Sequence, residues 1–258
     1  MTEGRRRTRC VFVTPQRRRA RRPSRDAMDV ARALRRRFAD ADAVDDAEAH
    51  ARVGGRARAA VLVPLVARAR DGGFDVVLTT RAATMRAHAG EIALPGGKRD
   101  ATDADDVATA AREAREEIGM DDGRDVEIVG RLPVIMSRHY VSVRPVVGVV
   151  REGWRAREEE ISREEVANVF TAPLEMFLRA ECHRFDDWAW PNAARAIRVH
   201  YFDYEGKEIW GLTAMILIEV ARRVYGREPA FAVATDDGVT VWDVRCRDGK
   251  AAVIKSAL

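Results

Sequence analysis

Residues 94–120 decide the fold and read LPGGKRDATDADDVATAAREAREEIGM. The stretch begins with a turn at Gly96 and Gly97, where the lack of side chains lets the backbone approach a ligand closely. The apolar residues of 103–118 then recur on one stripe of a helical wheel, which predicts a helix with a single packing face. Gly119 directly follows this stripe and is typical of a helix C-terminus.

Three acids, Glu113, Glu116 and Glu117, crowd the C-terminal end of the predicted helix. They repel one another, and the helix dipole is negative at that end. A divalent cation would relieve both problems, and Mg²⁺ and Mn²⁺ prefer oxygen ligands. The alternative is a solvated charged face that Arg112 and Arg115 neutralise. The coincidence of the turn, the helix length and the closing glycine favours the metal site.

This stretch resembles the signature of the Nudix hydrolases: a glycine, then an acid at a set distance, then R-E-U-x-E-E-x-G-U, where U is apolar. Residues 112–120, REAREEIGM, match the second half in full. The first half is one residue longer than the general pattern. Counted from Gly97 the acid falls on Asp103, whereas counted back from Arg112 the same position falls on Ala104.

The Nudix resemblance implies an α/β/α sandwich with a mixed sheet at its centre. It implies that the catalytic residues belong to the signature and are Arg112, Glu113, Glu116 and Glu117. The three glutamates would bind Mg²⁺ or Mn²⁺, and Arg112 would orient a ligand carboxylate through paired hydrogen bonds. A Nudix site often takes one more acid from a later loop, and the sequence leaves four candidates open: Glu158, Glu160, Glu164 and Glu165.

Residues 78–97, LTTRAATMRAHAGEIALPGG, are similar to the coenzyme-recognition motif of the coenzyme A diphosphatase branch of the family. Ala82 and Leu94 stand where that motif has serine and phenylalanine. The longer first half of the signature is also usual in this branch. The resemblance implies that this block binds the substrate, through basic side chains suited to phosphate and through the glycine turn. The expected substrate-binding residues are Arg81, Arg86, His88, Gly96 and Gly97.

The function implied by this branch is metal-dependent hydrolysis of the diphosphate bond of coenzyme A or its thioesters. The products would be phosphopantetheine, or its acyl form, and adenosine 3′,5′-bisphosphate. Two alternatives stay open. One is a Nudix hydrolase of ADP-ribose, NADH or a dinucleotide, and the other is a nucleic-acid-binding protein with a degenerate Nudix domain. The expected partner is a small molecule, with no membrane and no nucleic acid, and the chain is expected to be a monomer or a homodimer.

The formal net charge of +4 depends on the N-terminus. Ten of the 45 basic residues lie within 5–25, where there is no acid, so the rest of the chain has 35 basic against 41 acidic residues. A protein that grips nucleic acid through its fold should carry the positive charge on that fold. The Arg-rich start is typical of an organellar transit peptide. It predicts a mitochondrial or plastid location first, a cytoplasmic one next and a peroxisomal one last.

Composition and the family resemblance together predict four parts in the chain. These are an Arg-rich disordered tail (1–26), a short helix and linker (27–55), the Nudix domain (56–228) and a hairpin-like extension (229–258). Within them the patterns predict a hairpin over 59–80, strands over 126–134 and 143–150, and helices over 103–118, 162–177 and 212–225. The loop 137–140 is expected at the pocket rim, and Trp210 is expected in the core rather than as a base-stacking platform.

Overall fold

The computed structural model describes residues 26–42, 45–85, 88–189, 196–247 and 250–253. The predicted tail lies outside these residues except for Asp26, and Arg86 lies outside them as well.

Helices and strands follow one another along the described residues. The helices are α1 (Asp26–Asp42), α2 (Asp46–Val53), α3 (Asp106–Ile118) and α4 (Gly211–Tyr225). The strands are β1 (Ala57–Ala67), β2 (Phe74–Arg81), β3 (Ile92–Ala93), β4 (Gly96–Lys98), β5 (Val126–Arg131), β6 (Ile135–Met136), β7 (Val141–Val150), β8 (Val166–Pro173), β9 (His183–Ala189), β10 (Ala196–Tyr204), β11 (Lys207–Trp210), β12 (Val244–Arg247) and β13 (Lys250–Val253).

The large sheet is mixed, and β1 lies at its centre. Its order is β3-β2-β1-β7-β5, with β4 paired to β1, β6 to β7 and β8 to β2. β1 and β7 are parallel, from Ala57 opposite Val141 to Val66 opposite Val150. The other pairs in this sheet are antiparallel. Both central strands read as near-continuous apolar runs, which is the pattern expected of strands covered on both faces.

Two separate hydrophobic cores cover the two faces of this sheet. On one face α3 packs through Ala110, Ala114 and Ile118. On the other face α1 and α4 share a core that includes Phe38 and Leu217, both fully buried. The layers are therefore helix, mixed sheet, helix, and the α/β/α arrangement expected from the sequence is confirmed.

Most of the predicted elements are present, but one is wrong. The predicted hairpin is β1 and β2, and two of the predicted helices are α3 and α4. The segment 162–177 was predicted as a helix, whereas it contains β8, which pairs with β2 from Asp75 opposite Pro173 to Arg81 opposite Val166. The free edge of β2 and the β-branched residues of β8 outweigh a local helical pattern.

The stretch before the large sheet also differs from its prediction as a linker, because it contains α2. The Asp45 carboxylate begins this helix by accepting hydrogen bonds from the backbone N–H groups of Ala47 and Glu48. His50 and Val53 are buried at 2% and 4% exposure, so α2 packs against the body of the protein. An Ala- and Asp-rich composition resembles that of a linker, but here it forms a capped helix.

The C-terminal third adds a smaller sheet and a hairpin. β10 pairs antiparallel with β9 on one side and with β11 on the other. β12 and β13 form an antiparallel pair within the region predicted to be hairpin-like. In the part of the chain that the structure describes, we find no helix with the length and hydropathy of a membrane span.

Candidate active site

The helix α3 is fixed at both ends by residues that the sequence supplies locally. The Asp105 side chain accepts a hydrogen bond from the Ala108 backbone N–H at 2.7 Å, which caps the first turn. At the other end Gly119 has φ 66° and closes the helix in the left-handed conformation. These two caps set the length of α3, and they place its last two turns, with their glutamates, beside β4 and the turn that precedes it.

The glycine turn lies directly against these glutamates. A Cβ atom on Gly97 would come within 2.5 Å of the Glu113 carboxylate, and one on Gly96 would come within 2.5 Å of the Ala60 carbonyl oxygen. Gly96 also has φ 155°, and its N–H donates to Glu117 Oε2 at 3.3 Å. Any side chain at this turn would have to displace backbone or a carboxylate, so the site requires glycine at both positions.

The two glutamates beneath the turn are withdrawn from solvent. Glu117 is 3% exposed, and the Glu113 side chain is 14% exposed. Burial raises the pKa of Glu117 to about 8, against a smaller lowering by Arg81 and with a further rise from Glu113. Burial likewise raises the pKa of Glu113, despite the neighbouring Arg112. Burial therefore disfavours the ionised form of both glutamates, and a cation bound between them would favour it.

Arg112 joins the acids of the loop to those of the helix. It donates to both carboxylate oxygens of Asp103 at 3.0 Å and forms ion pairs of 3.0 Å with Glu113 and Glu116. Paired hydrogen bonds with Arg112 lower the pKa of Asp103 to about 2. Of the two positions that the signature left open for its first acid, Ala104 has no carboxylate, and Asp103 is the residue that holds Arg112.

Arg81 faces the same site at the end of β2. It lies close enough to Glu117 to lower that residue's pKa. Its Nε atom is buried, and the described residues supply it with no hydrogen-bond partner. A buried guanidinium nitrogen without a hydrogen-bond partner destabilises the folded protein unless a ligand accepts its hydrogen bond. This is the geometry expected of a residue that receives an anionic group.

Residues 88–91 fold back onto Arg81. The Arg81 N–H donates to the Glu91 carbonyl oxygen at 3.0 Å, and His88 Nδ1 lies 2.6 Å from Glu91 Oε2. The His88 ring also meets His139 edge-on, with 4.9 Å between ring centroids. The structure thus brings Arg81, His88 and the predicted rim loop 137–140 together. The position of Arg86, in the same loop, stays a prediction from the sequence.

Of the four candidates for an additional acid, Glu165 is the one that faces the site. Its charge contributes to the raised pKa of both Glu113 and Glu117. Glu158 and Glu160 instead pair with arginines of their own loop, Arg163 and Arg157. Glu164 is exposed.

The donor chemistry of this cluster fits a divalent cation that prefers oxygen. Buried Glu113 and Glu117 are crowded carboxylates with raised pKa values, and added positive charge would relieve them. Over the ranges that the structure describes, however, no three His, Cys, Asp or Glu side chains already converge as a metal-holding group. Arg112 Nη1 instead lies 3.0 Å from Glu113 Oε1 and 3.0 Å from Glu116 Oε2.

A buried network at the other end of α3 was missed by the sequence analysis. Asp106, the first residue of α3, lies 3.0 Å from His50 Nε2 and 3.2 Å from Arg144 Nε. His50 Nδ1 lies 2.7 Å from Ser142 Oγ, and Arg144 Nη2 lies 3.2 Å from Asp46 Oδ1. Arg144 interrupts the apolar run of β7. A charged residue in a strand that is otherwise apolar was the one feature of the sequence that could have indicated this network.

Comparison with known proteins identifies the class to which this site belongs. Residues 56–204 match the family model of the NUDIX domain. The chain belongs to the Nudix family, and the resemblance of its signature is confirmed.

Two similar relatives come from Arabidopsis thaliana. "Nudix hydrolase 15, mitochondrial" is 44% identical over 179 residues, which cover 67% of this chain and 61% of that protein. "Nudix hydrolase 22, chloroplastic" is 43% identical over 178 residues, covering 67% of this chain and 57% of that protein. The bacterial "Uncharacterized Nudix hydrolase NudL" of Citrobacter koseri is 39% identical over 170 residues, covering 66% and 83%. This chain therefore spans less than two thirds of the length of the plant relatives.

Proposed function

We propose that the protein is a metal-dependent diphosphatase that hydrolyses the diphosphate bond of coenzyme A or its thioesters. The observation that carries the proposal is the contact of the Gly96–Gly97 turn with Glu113 and Glu117, beside the unsatisfied Nε of Arg81. A diphosphate is stabilised by a metal ion and by a cationic hydrogen-bond donor. In this site the carboxylates of Glu113 and Glu117 would hold the metal ion, and the Arg81 guanidinium would be the donor.

Glu113, Glu116 and Glu117 would hold the metal, which is Mg²⁺ or Mn²⁺ in this proposal. The bound ion would neutralise the diphosphate charge and acidify a nearby water. Arg112 is a positioning residue, because its ion pairs with Asp103, Glu113 and Glu116 hold the acids of α3 in place.

Arg81 would bind a phosphate oxygen through its unsatisfied nitrogen, and the Gly96 and Gly97 backbone would lie close to the diphosphate. Glu165, which is exposed beside the buried glutamates, is our candidate for the group that accepts the proton of the attacking water. Positioning and charge stabilisation would supply most of the rate.

The choice of coenzyme A rests on residues 78–97, which resemble the coenzyme-recognition motif, and the described part of this block, 78–85 and 88–97, lies beside the site. The relatives are named only as Nudix hydrolases and do not specify the substrate. The names of the plant relatives include a mitochondrial and a chloroplastic location. With the Arg-rich start of this chain, they support an organellar location, which a reporter fused to residues 1–40 would test.

The decisive experiment is a substrate panel. Purified protein with Mg²⁺ is given coenzyme A, acetyl-coenzyme A, NADH and ADP-ribose at equal concentration, and the products are resolved by chromatography. We expect adenosine 3′,5′-bisphosphate and the corresponding phosphopantetheine from the first two, with a higher kcat/KM than for the others. Preferred cleavage of NADH or ADP-ribose would reject coenzyme A as the substrate while keeping the diphosphatase class.

A further inference from the structure

The smaller sheet carries an aromatic array that the proposed chemistry leaves without a role. The rings of Tyr201 and Trp210 are stacked, with 5.7 Å between centroids and an angle of 4°. Trp188 lies 5.9 Å from Trp210 on the same side. We call Trp188, Tyr201 and Trp210 the aromatic face.

The pairing of β9, β10 and β11 explains why this face points away from the core. Tyr201 lies opposite Trp210, whereas the neighbouring pair is Phe202 and Ile209, both fully buried in the core. Since side chains alternate along a strand, Trp210 is directed outward. The sequence analysis expected Trp210 in the core, and the structure instead leaves it partly exposed on the outer face.

Trp188 is a large apolar side chain that remains exposed on the aromatic face. It is 40% exposed, and among the described residues only Phe185, at 43%, is another exposed large hydrophobic side chain. Phe185 lies on the same strand but on the opposite side of the sheet, where the Arg198 guanidinium covers its ring at 3.9 Å. Among the described residues no guanidinium covers Trp188. It contacts Trp210 at a tilt and hydrogen-bonds Tyr201, and the part of the indole that stays exposed is open to a ligand.

Guanidinium groups stand over the rings of the aromatic face. Arg184 lies 4.0 Å from the Tyr201 centroid, and Arg138 lies 5.9 Å from the Trp210 centroid. Arg184 pairs with Glu208. Arg138 is exposed and has no carboxylate partner in the part of the chain that the structure describes. The face therefore combines aromatic surface with one unpaired positive charge at its edge.

A chain of contacts links this edge to the candidate active site. Arg138 donates to the His139 ring at 3.0 Å, and the His139 ring lies against His88. His88 pairs with Glu91, whose carbonyl oxygen binds the Arg81 N–H. The Thr213 hydroxyl, three residues beyond Trp210, also donates to the Ile92 carbonyl oxygen in β3 at 3.2 Å. These contacts, which include the Glu91 carboxylate as well as Arg138, connect the edge of the aromatic face to the surroundings of Arg81.

We propose that Trp188 and Trp210 bind the nucleobase of the substrate by stacking, with Arg138 contacting a phosphate of the same nucleoside. This inference rests on the proposed function, in that the ligand is a nucleoside diphosphate derivative cleaved beside Glu117. A base is the fitting occupant because stacking needs an aromatic partner with a π-face, and the unpaired Arg138 needs an anion beside it. Adenine is the base that coenzyme A supplies.

The test measures binding rather than turnover. The full-length protein is titrated with adenosine 3′,5′-bisphosphate by calorimetry; this probe has the base and both phosphates but no diphosphate bond to cleave. Ribose 5-phosphate, which lacks a base, is the reference ligand. Trp188→Ala should weaken binding of the adenosine probe by roughly 5- to 150-fold, the range for loss of one base–aromatic stack. It should leave the reference ligand unchanged.

Two further variants keep the result interpretable. Phe185→Ala removes an equally exposed ring from the other side of the same strand and should not change binding. Trp188→Phe keeps an aromatic surface and should retain most of the affinity. Melting curves of all three variants establish that each is folded at the temperature of the titration.

The outcomes separate this inference from the proposed function. Coenzyme A hydrolysis with no effect of Trp188→Ala on binding would overturn the inference and leave the function standing. Weaker binding of the adenosine probe to Trp188→Ala, in a protein that does not hydrolyse coenzyme A, would support the base-binding face and reject the proposed function. If wild type binds no adenosine probe, or if Trp188→Ala converts a dimer to a monomer in light scattering, the face does not hold a base.

Discussion

The side chain of Asp46 accepts a hydrogen bond from the backbone N–H of Asp106, with 2.9 Å between Oδ2 and N. A residue of α2 therefore caps the N-terminus of the helix that carries the candidate catalytic glutamates. The other Asp46 oxygen receives Arg131 at 2.7 Å and Arg144 at 3.2 Å. The segment before the Nudix domain is thus hydrogen-bonded to α3 through a buried carboxylate.

We expect Asp46→Ala to lower the free energy of unfolding by about 3–5 kcal/mol, because it leaves the buried Arg144 with one fewer carboxylate. The control is Glu48→Ala on the same helix, whose pair with Arg52 is exposed and should contribute less than about 1 kcal/mol. Urea denaturation measures both variants. Equal stability of the two would show that the buried network contributes little.

Two truncations test whether the segment before the Nudix domain positions α3. Removal of residues 1–26 should leave turnover unchanged, since the basic tail precedes the helices that pack on the domain. Removal of residues 1–55 takes α1 and α2 away and exposes the α3 terminus, so the melting temperature and kcat should both fall. If the longer truncation is as stable and as active as the full chain, α2 does not position α3.

Glu117→Gln should reduce kcat by about 10² or more while the protein stays folded. The substitution keeps the size of the side chain and removes its charge from the candidate metal site. Glu159→Gln, which changes an exposed glutamate of the 158–160 turn, is the matched control. Near-normal turnover of Glu117→Gln at saturating Mg²⁺ would remove Glu117 from the catalytic role.

Arg86→Ala should impair hydrolysis of coenzyme A more than that of dephospho-coenzyme A, which lacks the 3′-phosphate. Loss of a charged hydrogen bond to that phosphate should cost about 1.5–3 kcal/mol, or roughly ten- to a hundredfold in kcat/KM. Steady-state kinetics on the two substrates measure the difference. If both suffer equally, Arg86 does not read the 3′-phosphate, and Arg81 becomes the next residue to test.

The protein should lose stability as the pH falls below about 6.5 because of His183 and His200. Burial lowers the pKa of His183 to about 3 and that of His200 to about 4, and their rings are joined by a 2.8 Å hydrogen bond. The folded-state pKa values lie below the unfolded ones, so the unfolded chain takes up more protons in this window. Stability present at neutral pH is therefore lost as the pH drops.

Between pH 7 and pH 5 the loss should be about 2 kcal/mol for each histidine. Urea denaturation at the two pH values measures it. The variant His183→Gln keeps a donor for His200 and removes one titrating ring, so its pH dependence should be smaller than that of wild type. An unchanged dependence would mean that other groups cause the acid sensitivity.

The sequence predicted α3 well because its signals are local: the apolar stripe and the terminal Gly119 lie within or beside the helix itself. Its start was placed too early, at 103, whereas the helix begins at Asp106 after the Asp105 cap. Periodicity also identified β1, β2 and β7. It failed for 162–177, because β8 is defined by its pairing with β2, which is about ninety residues away along the chain.

The site was predictable only where a spacing motif exists. The glutamates and Arg112 followed from the signature, whereas the selection of Glu165 over Glu160 required the path of the chain in space. The network of Asp46, His50, Asp106 and Arg144 could not be inferred, because its members come from α2, α3 and β7 and share no sequence pattern. Partners of a buried charge are determined by tertiary packing and not by neighbours in sequence.

The parallel pairing of β1 with β7 also has a consequence for how the protein is made. Ala57 meets Val141, 84 residues later, and the glycine turn, α3 and all three candidate metal ligands lie in the loop between them. Closing so long a loop is entropically costly and slow. During synthesis the helix can form early, but its acids gain their fixed surroundings only when β7 has left the ribosome and joined β1. Assembly of the centre of this protein is thus a late event, and a premature stop before residue 150 would yield the signature without the site.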